Sequence, residues 1–374
     1  MKKLLCTAAV AGLCAVAAAP AMAQGDQSAL ELSLGGYFRG YVTYASQDTV
    51  TGSEERHIDI LRDTEVHFTG ETTLDNGLTV GVHVESEADM EDSFNVNESY
   101  MYVSGSWGRV NFGGEDGAAY LLQVAAPSAD SNVYGIRQYI QPVNYGIAPA
   151  AFAVAPGTDV QFDYAQDVSA NHDKITYLSP VFNGFQAGVS YTPDTQDLGA
   201  ANSRSLQGVS SDDVAGEFGA AWDLAARYEG QFDSFGLTLG AGYTRVDLEE
   251  DNVGEDDLTA WNVGGAVTFC GFGVGLVYTE NDNGTDPEEE TNIWVLGADY
   301  TTGPWKLGAS WYSREDEDFG GAGDDLDTDR YAGGVTYTYG PGMTFRGSVH
   351  YIDHELNASD MDATTFLLGT QVNF

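Results

Sequence analysis

The sequence predicts an all-β fold, a sixteen-stranded antiparallel β-barrel that crosses a membrane. Three observations support this. Apolar and polar residues alternate along most of the chain, the alternating runs number sixteen, and most runs approach the 9–11 residues that a tilted membrane-crossing strand needs. Soluble strands usually run about five or six residues. In hydrocarbon every backbone donor and acceptor has to be paired, so such a sheet closes into a barrel without a free edge.

The stretch GVTYTYGPGMTFRGSVHYIDHE, residues 334–355, shows the pattern most clearly. Val335 and Tyr337 fall on one side of an extended chain, and Thr336 and Thr338 fall on the other. The Gly-Pro-Gly between the two alternating halves is typical of a turn. This stretch therefore predicts two antiparallel strands, each with one apolar and one polar face.

The other alternating runs predict fourteen further strands. In chain order they lie near 32–44, 60–72, 78–87, 98–104, 108–114, 173–179, 185–191, 218–229, 237–246, 258–269, 272–279, 292–300, 306–314 and, after the pair in 334–355, 364–374. Connections after even-numbered strands are short. Those after odd-numbered strands are long and mostly acidic, with 7, 6 and 8 carboxylates in 247–257, 280–290 and 315–329. An up-and-down barrel would thus have one blunt end and one bulky, anionic end.

The first 23 residues predict a secretory signal peptide. Two lysines precede an apolar stretch that ends in Ala21-Met22-Ala23, a small-x-small cleavage pattern. We expect the remaining 24–374 to form the barrel domain after export through the inner membrane. Cys270 is then the single cysteine, which leaves no internal disulfide.

The charge balance excludes one class of partner. The chain has 15 Lys and Arg against 57 Asp and Glu, a formal net charge of −42. Nucleic acid is excluded because phosphate binding needs a basic face. The 21 Tyr, 17 Phe and 6 Trp argue against disorder. No nucleophile motif, zinc-protease motif or phosphate-binding loop occurs, so no enzyme is predicted and no cofactor is expected.

Four stretches carry a family resemblance: LSLGGYFRGYVTY, TEVHFTGETTLDNGLTVGVHVESE, NESYMYVSGSWGRVNFGGEDGAAYLL and KITYLSPVFNGFQAGVSYTPD. With a final strand that ends in Phe374, they resemble the sixteen-stranded, trimeric general-diffusion porins of Gram-negative outer membranes, particularly the alphaproteobacterial type. The resemblance implies a passive channel for small hydrophilic solutes and ions. It also implies a homotrimer in contact with outer-membrane lipid and lipopolysaccharide, and a terminal aromatic that serves barrel insertion.

The connection after the fifth strand, about 115–167, is too long for an ordinary surface loop. In the family this loop folds into the barrel and forms the constriction. Carried over to this chain, Glu115, Asp116 and Asp130 become candidates for its acidic rim. A surface lid or a trimer contact remains the alternative for this segment.

Strand parity predicts which basic side chains line the pore. Arg39, Arg346, Lys174 and Arg227 all point away from the apolar face of their strands. Arg62 shares the parity of its apolar neighbours and does not fit. An acidic loop that faces basic wall residues would place a transverse field across the channel, as it does in the family.

The second and third strands predict an acidic and histidine-rich cluster on the inner face. A turn centred on Asp75 would set three pairs opposite one another: Asp63 and Glu87, Glu65 and Glu85, His67 and His83. Opposed like charges destabilise a sheet unless cations compensate. A divalent metal is one interpretation. We favour a hydrated wall balanced by Arg39, without metal, since a one-residue slip would undo the pairing.

The outer connections contain clustered oxygen ligands in DNGTDPEEE and GDDLDTD. Such clusters can hold Ca²⁺, although neither fits EF-hand spacing, and solvated, mutually repelling loops are the simpler interpretation. Either way the carboxylates raise the local cation concentration at one mouth. A substrate-selective channel, a secreted soluble β-domain that binds ligands or Ca²⁺ through its acidic loops and an outer-membrane hydrolase are the alternative functions.

Overall fold

Sixteen strands form one closed antiparallel barrel in the computed structural model of the chain. The structure describes residues 30–88, 94–129, 133–134, 136–138, 140–152, 162–195, 213–287, 289–317, 325–357 and 359–374. The predicted signal peptide lies outside the described residues. In the described part of the chain, no helix is long and apolar enough to cross a membrane.

The barrel strands follow the predicted runs, except that β14 and β16 begin eight and five residues before their predicted starts. They are β1 Glu31–Gln47, β2 Ile58–Thr73, β3 Thr79–Glu87, β4 Asn95–Gly105, β5 Gly108–Gly114, β6 Asp173–Leu178, β7 Phe185–Thr192, β8 Phe218–Phe232, β9 Phe235–Leu248, β10 Leu258–Phe269, β11 Phe272–Asn281, β12 Thr291–Thr302, β13 Trp305–Asp316, β14 Leu326–Gly340, β15 Met343–Leu356 and β16 Ser359–Asn373. The predicted number and order of strands are confirmed.

Each strand pairs with its chain neighbours, and β1 pairs with β16 to complete the ring. That last ladder runs from Tyr37 opposite Asn373 to Gln47 opposite Ala363. Phe374 continues it, because its N–H donates to the carbonyl of Gly36 at 3.1 Å and its own carbonyl accepts from Gly36 N–H. The ladder leaves the sheet without an edge.

The two faces of the barrel have opposite character. Outward positions carry large apolar side chains that are mostly exposed, such as Leu32, Ile60 and Leu368 at 79%, 75% and 71%. Inward positions beside them are polar, as Thr365 next to Phe366 shows. This inversion of the usual burial pattern suits a protein whose outer surroundings are lipid.

Two bands of aromatic rings circle the outer face. On β11 and β12, Tyr278 packs on Trp294 at 4.5 Å near the long-loop end, and Phe272 packs on Tyr300 at 4.3 Å near the short-turn end. Further pairs are Tyr191–Trp222 and Trp261–Tyr278 at the first end and Phe185–Tyr228 and Trp305–Tyr337 at the second. Such girdles mark the two interfaces of a membrane.

The turns at the blunt end are tight for a local reason. Between β10 and β11, Cys270 and Gly271 both have positive φ, 49° and 87°. Positive φ at both central residues defines a type I′ turn, which matches the twist of the flanking strands. The same end contains the other connections that follow even-numbered strands.

One prediction about the opposite end is wrong. The connection between β15 and β16 spans only 357–358, because both strands extend beyond their apolar alternation. Acidic residues continue the ladder there, with Asp353 opposite Asp362 and Glu355 opposite Asp360. Backbone pairing needs no apolar side chains outside the membrane, so the alternation underestimates strand length at this end.

An arginine introduced in the middle of the outer face tests whether that face contacts lipid. Leu276 lies midway between the two aromatic bands on β11, beside Leu296. We expect Leu276→Arg to lower the free energy of unfolding from lipid vesicles by about 2–4 kcal/mol, the usual cost of arginine at mid-membrane. Urea unfolding followed by tryptophan fluorescence measures it.

The matched control is Val253→Arg, since Val253 lies in the connection after β9 and is 99% exposed. This variant should unfold like the parent protein. Equal stability of the two arginine variants would contradict the assignment of the outer face to lipid.

Candidate functional site: the inner wall and the loop after β5

A single lysine joins the two ends of the long loop between β5 and β6. Lys174 is 2% exposed, and its ammonium donates to the carbonyl oxygens of Glu115 and Ala170, to that of His172 at 2.9 Å and to that of Ser169 at 3.3 Å. The inward direction predicted from parity is observed. The side chain, however, does not face open space, because loop carbonyls replace its water.

Polar side chains of the inner wall hold the loop over β8 to β10. Arg227 Nη1 donates to the carbonyl of Gln123 at 2.8 Å. Gln166 Nε2 donates to Thr244 Oγ1 at 2.8 Å, and Asn262 Nδ2 donates to Gln166 Oε1 at 2.5 Å. These contacts replace the solvent that buried polar groups would otherwise require.

A buried histidine anchors the loop on the far side of the barrel. The hydroxyl of Tyr145 lies 2.9 Å from His354 Nε2, and Thr328 Oγ1 lies 2.8 Å from His354 Nδ1. Burial raises the pKa of Tyr145, so its hydroxyl stays protonated and available as a donor. Phe162 of the loop packs edge-on against Tyr312 of β13 with ring centroids 5.5 Å apart.

Glycines make room for the loop backbone on the wall. A Cβ on Gly297 would collide with the carbonyl oxygen of Pro127, and one on Gly308 would lie 2.7 Å from the backbone nitrogen of Ala129. Real Cβ atoms do not approach so closely, so glycine is required at these two points of close backbone approach. The described parts of the loop thus lie against inner-facing residues from β6 to β15.

The three residues predicted to form the acidic rim differ in what the structure shows of them. Glu115 is 2% exposed and its Oε2 accepts from Asn111 Nδ2 at 2.7 Å. Burial raises the pKa of the Glu115 carboxyl to about 7. Asp116 is half-buried at the loop entrance, and Asp130 lies outside the described residues.

The two predicted wall arginines differ in exposure. Arg39 is fully buried, its Nη1 lies 3.1 Å from Asp63 Oδ2, and its guanidinium lies 4.6 Å from the ring of Tyr37. Arg346 is half-buried and donates from Nε to Thr344 Oγ1 at 3.0 Å. Arg39 is therefore enclosed by its ion pair and its aromatic neighbour.

The predicted register of the β2–β3 hairpin is wrong by two residues. Its turn spans 74–78 and centres on Asn76, so Glu65 faces Glu87, His67 faces Glu85 and Thr69 faces His83. The reason is local: Leu74 N–H donates to the Leu78 carbonyl at 2.7 Å and closes a five-residue turn, in which Gly77 has φ 82° and donates to the Leu74 carbonyl. An even shift preserves the face, so the acidic and histidine residues still point inward.

Parity within GRVNFGG would have located one further wall residue, Arg109. Its side chain points inward because Phe112 of the same strand points out. Arg109 Nε donates to Asn111 Oδ1 at 2.6 Å, and the guanidinium lies 3.9 Å from the ring of Tyr102. This cation faces the β2–β3 hairpin from the side of β5.

A family model described as Gram-negative porin matches residues 7–357 of the chain. Curated relatives include a Rickettsia felis protein described as uncharacterized, 26% identical over 221 residues that cover 53% of this chain and 49% of the relative. The chain thus spans about half the length of the curated relatives it matches first. A Halomonas monosaccharide porin is 23% identical over 323 residues, 81% of this chain and 77% of the relative.

Solved structures share the fold. Vibrio cholerae OmpT in its trimer form has a TM-score of 0.61 at 14% identity, and covers 92% of this chain and 100% of its own. A porin refined to 1.8 Å has a TM-score of 0.58 at 18% identity, and an anion-selective porin of Comamonas acidovorans has 0.57 at 14%, with the same coverages. At these identities the likeness shows the fold alone.

A methyl group on Gly297 tests the contact between loop and wall. We expect Gly297→Ala to lower the free energy of unfolding by about 1–3 kcal/mol, because overpacking forces the backbone of Pro127 away from β12. Thermal or urea unfolding in detergent measures the change. In Gly333→Ala the new Cβ meets only Val349 Cγ1 at 4.0 Å, so that control should be near neutral. Equal effects would contradict the close approach.

The buried carboxyl of Glu115 predicts a pH dependence. Its pKa is raised from 4.5 to about 7, so its favourable contribution to stability is complete below pH 4.5 and disappears as pH rises through 7. We expect Glu115→Gln to be more stable than the parent at pH 8, by on the order of 3 kcal/mol at most, and to lose this advantage at pH 4.

Unfolding midpoints of both proteins between pH 4 and 8 provide the measurement. Asp75→Asn at the exposed turn after β2 is the control and should give no such crossover. A constant difference between Glu115→Gln and the parent across this range would count against the burial of the charge.

Proposed function

Because the chain belongs to the Gram-negative porin family, we propose that it forms a passive, water-filled channel through which small hydrophilic solutes and ions diffuse across the outer membrane. The observation that carries this proposal is the inverted barrel, with exposed apolar side chains outside and a polar inner wall crossed by a loop. A barrel of sixteen strands is wide enough to leave an aqueous channel. Family and fold point to a channel rather than to an enzyme.

The loop after β5 sets the size limit in this proposal. Its contacts to Ser190, Thr244 and His354 support a position inside the barrel, since all three side chains face inward. The loop occupies volume that the wall would otherwise enclose. Solutes then pass the remaining cross-section, bordered by loop and wall.

Local pairing of the inner cations supports a preference for cations. Arg39 pairs with Asp63, and Arg227 Nη2 lies 2.6 Å from Glu229 Oε1. Lys174 is held by loop carbonyls. Arg39 and Arg227, each paired with a carboxylate, therefore offset the anionic mouth less than two unpaired charges would. The acidic connections between β9 and β14 therefore dominate the long-range field.

Three parts of the proposal extend the family resemblance. The channel acts as a homotrimer, its outer face contacts lipid and lipopolysaccharide, and the signal peptide directs its export. The two aromatic bands support the lipid contact. Gel filtration of detergent-solubilised protein with mass determination tests the trimer.

A substrate-selective channel is the alternative function. The Halomonas relative is described as a monosaccharide porin, which makes sugars the first substrates to test. A selective channel would show ion currents that a monosaccharide blocks in a saturable way. A general-diffusion channel would show a current that depends on sugar only through solution conductivity.

Reversal potentials in a planar bilayer test the role of the acidic mouth. We expect a mild cation preference that falls when Glu250, Asp251 and Asp256, all exposed after β9, are changed to Gln, Asn and Asn. The difference should shrink between 0.1 and 1 M salt, as the Debye length falls from about 10 Å to about 3 Å.

Asp75→Asn combined with Asp233→Asn, at the short-turn end, is the matched control and should leave the preference nearly unchanged. Clear anion selectivity of the parent protein would contradict the mouth-charge argument. Absence of any conductance from correctly folded protein would contradict the channel itself.

A further inference from the structure

Three ligand atoms converge on the inner face of the β2–β3 hairpin. One ring nitrogen of His67, one ring nitrogen of His83 and a carboxylate oxygen of Glu85 all lie within 4.8 Å of one another. Glu85 Oε2 is 3.4 Å from His67 Nε2 and 3.3 Å from His83 Nε2. The observed register produces this convergence, because it places His67 directly opposite Glu85 rather than opposite His83.

The spacing matches a first-row transition metal. Zinc binds histidine nitrogen and carboxylate oxygen at about 2.0–2.2 Å, so two ligands of a tetrahedral site lie ~3.4 Å apart. The two distances from Glu85 Oε2 agree with that separation. Two imidazoles and one carboxylate are a common ligand set for zinc, with the fourth position left open.

An outer hydrogen bond already orients one of these groups. Thr69 Oγ1 lies 3.0 Å from His83 Nδ1, which holds the ring and directs Nε2 towards the cluster. Metal-binding histidines typically have such a second partner on the distal nitrogen, which fixes the tautomer. Glu65 lies on the ligand side of His67 instead. Tyr37 donates to Glu65 Oε2 at 2.7 Å, and the other oxygen of Glu65 lies 2.6 Å from His67 Nε2.

The surrounding charge favours a cation. Glu65 faces Glu87 and Glu85 faces Glu98 across adjacent strand pairs. The nearby Arg39 is engaged with Asp63, and Arg109 lies over Tyr102. A divalent ion would relieve the repulsion between opposed carboxylates.

We propose that His67, His83 and Glu85 bind a divalent transition-metal ion of the zinc class on the channel wall, with Glu65 as a fourth donor. Glu65 Oε1 is closer to His67 Nε2 than two zinc ligands can be, so its carboxylate moves by about 1 Å to share the ion. The ion adds two positive charges to an acidic stretch of the wall. It also cross-links β2 to β3.

Zinc binding to the full-length protein, folded in detergent and stripped with chelator, tests the site. Isothermal titration with Zn²⁺ should show one strong site per chain. We expect His83→Gln and Glu85→Gln to abolish it. Thr69→Val should weaken it by about tenfold or more at unchanged stoichiometry, as is usual when an outer hydrogen bond to a ligand is lost. Thermal unfolding of each variant verifies folding.

The control is His57→Gln, because His57 is exposed, lies 3.1 Å from Glu55 and precedes β2, ten residues before His67 in the chain. It should bind zinc like the parent. The proposal is overturned if stripped protein shows no strong site, if folded His83→Gln or Glu85→Gln retains it, or if His57→Gln removes it. Binding is measured without conduction, so this result is independent of whether the protein proves to be a channel.

Discussion

The structure depends on complete pairing of the backbone within a layer that offers no water. A β-strand in hydrocarbon has no alternative donor or acceptor, so an unpaired edge would cost several kcal/mol per group. The ladder between β1 and β16 removes that edge. Once the ring is closed, the alternation of side chains follows: apolar residues such as Leu368 face outward and polar residues such as Thr365 face inward. Everything on the inner wall, including charges, is then separated from lipid by the sheet itself.

The loop after β5 depends on a second constraint, which is close approach to that wall. Its backbone reaches β12 and β13 only because Gly297 and Gly308 have no side chains. Polar contacts then satisfy the loop where it crosses β8 to β10. The fit of the loop to the wall therefore depends on the space that these glycines leave as much as on hydrogen bonds.

The sequence could predict the barrel because lipid on one face and water on the other require apolar and polar residues to alternate along each strand. The β5 bounds 108–114 were predicted without error. Strand ends were less predictable where β14 and β16 continue outside the membrane. They begin at Leu326 and Ser359 rather than near 334 and 364, since pairing there requires no apolar alternation. The residues that face inward could also be predicted, as Arg39 and Lys174 show.

What these side chains do could not be predicted from parity. Alternation assigns a face but not a neighbour. It could not show that the carbonyl of Glu115, 59 residues away in the chain, reaches Lys174. The β2–β3 register failed for a related reason, because a five-residue turn at Gly77 cannot be distinguished from a tighter one by composition alone. The two-residue offset left His67 on the same face but gave it Glu85 instead of His83 as its partner on β3.

The Lys174 contact has a consequence for the order of assembly. The Lys174 ammonium binds the first residue of the loop, Glu115, and its last turn, Ala170 to His172. The two ends of the long loop are therefore fixed at a single point. That point exists only after β5 and β6 have paired through Gly114 and Asp173. β5 and β6 must therefore pair before the loop can take its final position on the wall.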